Sequence, residues 1–327
     1  MGDLALSLPV YFGFKGQRAV KERGSFLLNA ESGPVKIYKA AGGTREIAAR
    51  YELFRRLAEA GFSDTDGLLP AASGAPYVML GREIFIMSRH IPGREPDFDK
   101  FSDVKLLIEI LARFHSAARG FVAEIPTALP LSDVFTKQIS ALSSAVKQVN
   151  RSKGLSDFDV LMLKHADSYA LRATEALGVL QQTDYVSLHD TAVAENHICH
   201  NGLKEESLPI LGESCYITRF DDAEINTQLN DLASLIRRYA RKSYCEIPID
   251  RFLEIYDKIL PLPKTAPKII YAMLSFPWPF MKLVSRFYSK KRNFTPAAIT
   301  SRMADILAEQ ENYDEYLETI SSTERNP

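Results

Sequence analysis

The 327-residue chain balances 40 Lys+Arg against 41 Asp+Glu, a formal net charge of −1, with 46% hydrophobic and 25% charged residues. It lacks the basic surplus a general nucleic-acid binder needs to release counterions from phosphate. Its three cysteines (Cys199, Cys215 and Cys245) are too few and too scattered for a disulfide framework or a zinc site. No stretch approaches the roughly eighteen apolar residues of a membrane span. The N-terminus has no basic n-region, so no signal peptide is expected, and folding is expected in a reducing cytoplasm.

The first ninety or so residues alternate like strands. Val10–Phe14 is a short apolar run, grouped here with the strands. Gly24–Ala30 and Val35–Lys39 flank a turn at Glu31-Ser32-Gly33-Pro34 and read as a hairpin. A helix follows, with Ile47, Tyr51, Phe54, Leu57 and Ala58 on one face and Gly61 as its C′ residue. Tyr77–Leu80 and Glu83–Met87, around Gly81-Arg82, predict a second hairpin. Arg89–Glu95 is rich in turn formers and reads as a hinge. Beyond it, helical periodicity covers Val104–Ala118, Phe158–Leu180 and Asp231–Lys242, with a short β-like island over Asn196–Phe220. Ile269–Phe280 reads as a buried helix ending in a proline turn that packs Trp278, and Ser321–Pro327 as a frayed end.

This order predicts an α+β, protein-kinase-like bilobal fold: a small strand-rich N-lobe with one main helix over 1–90, and a larger, mostly helical C-lobe over 91–327. Phosphoryl transfer in such a fold needs a strand lysine for the phosphates, a helix glutamate to orient it, a loop H-x-D-x-x-x-x-N and a metal-binding aspartate after a strand. Lys39, after Ile37-Tyr38, is the candidate lysine, with Lys36 as competitor. Glu52 is its candidate partner, and Met87 beside the hinge is a further nucleotide-side candidate. In Ile198–Ser207, His200 fits the loop histidine, but Gly202 stands where the catalytic aspartate belongs and Ser207 where the asparagine belongs. Glycine cannot accept a proton. In Cys215–Asp221 the first metal position is Arg219, which would repel Mg²⁺ and could instead hold a phosphate or pair with an acid. Asp221 keeps the second position. A shifted alignment would use Asp221 or Asp222 for metal and Glu205 or Glu206 as base. His189-Asp190 only imitates the loop, because its His and Asp are adjacent.

Several segments together resemble the CotS family of spore coat proteins, a branch of the aminoglycoside/choline phosphotransferase-like kinases. They are Leu57–Phe62, Pro92-Gly93-Arg94-Glu95, Leu111–Phe121, Ile198-Cys199-His200, Asn230-Asp231-Leu232, Leu274–Pro277 and Phe287–Arg292. The resemblance implies a kinase fold. With Gly202, Ser207 and Arg219 all departing from the phosphotransferase pattern, it implies a pseudokinase acting as a structural or assembly component of the coat. Its expected partners are other spore coat proteins, not nucleic acid or membrane. Its expected location is the mother-cell cytoplasm and then the spore coat. No cofactor and no metal ligand is expected; ATP with Mg²⁺ would bind only weakly, as a nucleotide or small molecule in the interlobe cleft. The alternative is an active small-molecule phosphotransferase with relocated acids. Asp231 resembles the residue that anchors the catalytic loop, and His115 is expected to be a hydrogen-bonded core histidine. Lys282–Arg292 reads as a solvated helix face or, alternatively, a docking patch for a protein or an acidic polymer.

Overall fold

The computed structural model describes residues 4–22, 24–120, 124–242, 247–289 and 295–323. Phe121, Cys245, Lys290–Arg292 and Glu324–Pro327, all named above, lie outside them. The chain divides into two compact units. The first comprises Met1–Thr127, Ala192–Asp231 and Ile255–Leu260, and the second Ala128–Thr191, Leu232–Glu254 and Pro261–Pro327. The strand-rich segment thus shares a unit with the His200 loop.

Unit 1 opens with α1 (Leu4–Tyr11), β1 (Val20–Glu22), β2 (Ser25–Ala30), β3 (Gly33–Lys39) and α2 (Thr44–Glu59). It continues through β4 (Leu68–Leu69), β5 (Val78–Leu80), β6 (Glu83–Arg89) and α3 (Phe101–Ala117). The sheet is antiparallel in the order β1-β2-β3-β6-β4, with β5 also paired to β6. Both expected hairpins form. Val10–Phe14, however, is not a strand: Val10 and Tyr11 end α1, whose Ala5 and Leu8, with Phe12, pack on Phe26, Leu28, Val35, Ile37, Phe85 and Met87. A largely apolar helix gains more from covering a sheet face than from adding an edge strand.

Period-2 alternation sends Lys36 and Tyr38 to the other face of β3, beside their β6 partners Ser88 and Ile86. Helix α2 buries Ile47, Leu53, Phe54 and Leu57, and Gly61 follows its C-cap at φ 81°. The expected hinge segment is pinned in place: Arg94 and Ile210 exchange backbone hydrogen bonds of 2.9 and 2.8 Å. Gly93 beside them has no room for a side chain, since a Cβ would lie 2.8 Å from the Ile210 carbonyl oxygen. The β-island consists of β7 (Ile198–Cys199), β8 (Ile210–Leu211), β9 (Ser214–Cys215) and β10 (Glu224–Ile225). In it β7 pairs with β10 and β8 with β9.

Unit 2 is built on α4 (Leu131–Val149), α5 (Asp157–Gln181), α9 (Ala266–Ser275), α10 (Trp278–Tyr288) and α11 (Pro296–Thr323). Helices α6 (Tyr185–Ala194), α7 (Leu229–Lys242) and α8 (Ile249–Asp257) have residues in both units. Ser156 caps α5 reciprocally with Asp159. Phe135 stacks on Phe276 at 3.8 Å and Tyr169 on Phe280 at 4.0 Å, joining α5 and its neighbours. Trp278 does not sit in a turn. It begins α10, with Pro279 in the first turn where no backbone donor is needed, and its ring meets Phe135 and Phe276 edge-on. His189 lies within α6, bonded to the Ala128 carbonyl at 3.1 Å. Among the described residues no helix is long and apolar enough to cross a membrane.

Candidate functional site

The loop that follows β7 is held by one carboxylate. Asp231, in the first turn of α7, accepts from the His200 and Asn201 backbone N–H groups at 2.6 and 2.8 Å. It also bonds His115 Nε2 at 3.0 Å, and His115 Nδ1 lies 2.7 Å from the Tyr256 hydroxyl. Burial pushes the His115 imidazole below its usual range, so it is neutral. Burial alone would raise Asp231, but the His115 hydrogen bond and the surrounding charge hold its carboxyl below the usual range. Nε2–H therefore donates to the carboxylate, and Nδ1 accepts from Tyr256.

Cys199 stands close by, its potential ligand atom within 4.8 Å of those of His115 and Asp231. Its thiol, pushed well up by burial, donates to the Asn226 and Thr227 carbonyls. Every member of this knot is committed to another protein group. It reads as a loop anchor and not as a metal centre.

His200 is likewise saturated: Nε2 donates to the Thr218 carbonyl at 2.8 Å and Nδ1 accepts from Gly202 N–H at 3.2 Å. Its ring meets Phe220 at 4.8 Å. Phe220 in turn packs edge-on against Phe54 of α2 and Phe114 of α3, which brings the loop, both helices and the Asp221 turn around one aromatic hub.

The metal-side positions have other employment. Ser207 Oγ accepts from Lys204 N–H at 2.8 Å and donates to the Lys204 carbonyl at 2.7 Å, closing a turn inside the protein. Arg219 adopts a left-handed φ of 65° and its guanidinium donates to Glu206 at 3.2 Å. Asp221 is instead bonded by Arg50, a buried residue of α2 whose Nη2 also donates to the Ala41 carbonyl at 3.1 Å. Mg²⁺ in a kinase site takes hard oxygen ligands at close range. Here one oxygen is spent in a turn, one position is a cation and the remaining carboxylate already holds a guanidinium. Among these three positions no carboxylate without a partner remains.

The expected Lys39–Glu52 pair does not form. Lys39 is exposed and pairs with Glu83 at 2.7 Å, while Glu52 is half-buried and held at a pKa of about 2 by hydrogen bonds from Arg55 and Arg56. Met87 faces the α1 core and not the lysine side of the sheet. The inward lysine is Lys36, 3.6 Å from Asp66, a carboxylate 2% exposed in the loop after α2. Burial raises Asp66 against the opposing pull of Lys36. Tyr38, on the same face, is pushed up to about 12 by burial and then by Asp66.

Arg50, Asp66, Tyr38 and Ser88 escaped the sequence reading. Arg50 alone carried a signal: it falls between Ile47 and Leu53–Phe54 on the apolar stripe, where an arginine needs an internal partner. Asp66 sits in a loop with no periodicity to mark it.

The family model described as "Spore coat putative kinase YutH" matches residues 12–320. Among solved structures, an aminoglycoside phosphotransferase from Alicyclobacillus acidocaldarius is 18% identical with a TM-score of 0.79, over 98% of this chain and 93% of that one. The AMP-bound spectinomycin phosphotransferase APH(9)-Ia is 14% identical with a TM-score of 0.61, over 98% of each chain. Amicoumacin kinase hAmiN gives 15% and 0.54, over 91% and 87%. At these identities the likeness shows the fold, which is the aminoglycoside phosphotransferase and choline kinase-like α+β fold expected from the element order. The family match extends over nearly the whole chain, across the sheet, the Asp231-anchored loop and the helical unit, and this protein therefore belongs to the YutH spore coat kinase family.

Proposed function

We propose that this family member carries a degenerate phosphotransfer site and serves the spore coat as a structural or assembly component. The observation that supports this reading best is the Arg50–Asp221 ion pair. A guanidinium neutralises the one acid left at the metal positions, while Gly202 offers no proton acceptor at the loop. Folding takes place in the mother-cell cytoplasm, deposition follows on the forespore, and the partners are other coat proteins. The test is a thermal-shift and phosphate-release assay of the full chain with ATP, with and without Mg²⁺ or Mn²⁺. The expected result is no metal-dependent shift and no turnover. Turnover near about 1 s⁻¹, in the range of working kinases, overturns the reading.

One observation favours a second reading, a small-molecule phosphotransferase with relocated acids. A Cβ built on Gly202 would lie 2.9 Å from Asp222 Oδ2, so the Asp222 carboxylate stands where a loop aspartate's side chain would begin. Under that reading, wild type binds ATP only with metal, and Asp221→Ala or Asp222→Ala abolishes the binding.

A further inference from the structure

The cation that meets the acid of the Phe220–Asp222 turn is not the one beside it in the chain. Arg219 precedes the turn, yet its guanidinium donates to Glu206 at 3.2 Å. The guanidinium on Asp221 comes from Arg50, 171 positions earlier, in the middle of α2.

Two adjoining contacts hold α2 against this turn. Phe54, one helical turn after Arg50, packs edge-on against Phe220 with ring centroids 5.1 Å apart. Arg50 Nη1 donates to Oδ1 of Asp221, the next residue. Arg50 Nη2 donates to the Ala41 carbonyl at 3.1 Å, in the segment between β3 and α2. One positive charge thus gathers a carboxylate oxygen and a backbone carbonyl from separate segments, as a hard divalent cation does with its oxygen ligands. The guanidinium is otherwise poorly satisfied, for its Nε is buried without an acceptor. Arg94, by contrast, donates from two nitrogens to both oxygens of Asp103. An unpaired buried N–H costs free energy, so the contact with Asp221 is the interaction that offsets burial of the Arg50 charge. Asp221 itself still reaches solvent, on the side from which an ion would approach.

We propose that Arg50 takes the place of a divalent cation at Asp221, and that this residue of α2, not Arg219, closes the turn to metal. A permanently charged guanidinium in contact with the carboxylate repels an incoming cation and competes for the same oxygen. The inference rests on the degenerate-site reading and extends it: the closing residue lies outside every loop motif, and one substitution opens the site. Without the guanidinium, the turn presents two successive carboxylates, Asp221 and Asp222.

The experiment titrates the full-length protein with Mn²⁺ alone, without nucleotide, and follows free Mn²⁺ by electron paramagnetic resonance. Wild type is expected to show no saturable binding up to about 5 mM. Arg50→Met, which keeps an aliphatic stem but no charge, is expected to bind one equivalent with a Kd of about 1 mM or lower. R50M/D221N, which lacks the acid, and R219M, which lacks the neighbouring cation, should both behave as wild type does. About 5 mM Mn²⁺ should also raise the Tm of R50M by at least about 2 °C, and leave R50M/D221N unchanged. The inference is overturned if R50M binds no Mn²⁺, or if R50M/D221N binds it equally well. Saturable binding by wild type, or its gain in R219M, also overturns it, and both measurements stand even where R50M fails to fold. ATP turnover by wild type overturns the degenerate-site reading, whereas an inert wild type with an R50M that ignores Mn²⁺ overturns only this inference.

Discussion

Arg50 and Asp221 are unequally buried, their side chains 9% and 35% exposed. Removing one partner of such a pair leaves a charge in a medium that solvates it poorly, whereas replacing both with apolar groups is often neutral. Asp221→Asn is therefore expected to destabilise the protein by about 2 kcal/mol, below the fully buried range because Asp221 reaches solvent. The double variant Arg50→Met/Asp221→Asn should recover part of that loss. A urea-unfolding double-mutant cycle measures both; a loss that is merely additive would mean that the two side chains do not depend on each other. The sequence shows Arg50 only as a polar residue on an apolar stripe. Its partner lies 171 positions away, and no local pattern connects them.

Strand β3 decides which lysine faces inward by alternation alone. Val35 and Ile37 are buried under α1, which places Lys36 and Tyr38 opposite; Lys39 shares the α1 face but runs out at the exposed strand end. The alternating residues were legible from the start, but the choice between faces was not. It depended on α1, whose last residues Val10 and Tyr11 were grouped at first with the strands, taking one side. Lys39→Ala is expected to change stability by less than about 0.5 kcal/mol, because its Glu83 pair is exposed. Lys36→Ala strands Asp66 and should cost about 2 kcal/mol. That cost should be larger at pH 8 than at pH 5, because burial raises Asp66 and a protonated carboxyl no longer needs the ammonium. Equal effects of the two substitutions in chemical denaturation would show that the register argument fails.

Across the whole molecule the histidines with a shifted pKa act in one direction. His115 and His200 are held below the ordinary imidazole range, mainly by burial, and His197 shifts the same way. The unfolded chain takes up protons as pH falls through about 6.5 while the folded protein does not, so folding stability decreases on acidification. Asp231, held below the usual carboxyl range, adds a loss at lower pH still, as it is forced to protonate. Stability should therefore fall between pH 7.5 and pH 5.5, and His115→Gln, which keeps hydrogen-bonding capacity without titrating, should flatten the slope. A slope unchanged in that variant would remove His115 from the acid response.

The sequence by itself determined the fold class, the order of strands and helices, and the departures at Gly202, Ser207 and Arg219. Those depend on residue identity and on periods of 2 and 3.6, which a linear chain displays. Anchoring of the loop by Asp231 was legible through the family resemblance. Only the tertiary structure decided that Lys36 faces Asp66, that Arg50 takes Asp221 and that Met87 lies under α1. These are choices of partner. Electrostatic and packing free energies fall off within a few ångströms in space but are blind to separation along the chain, so partners are settled only when the chain has folded.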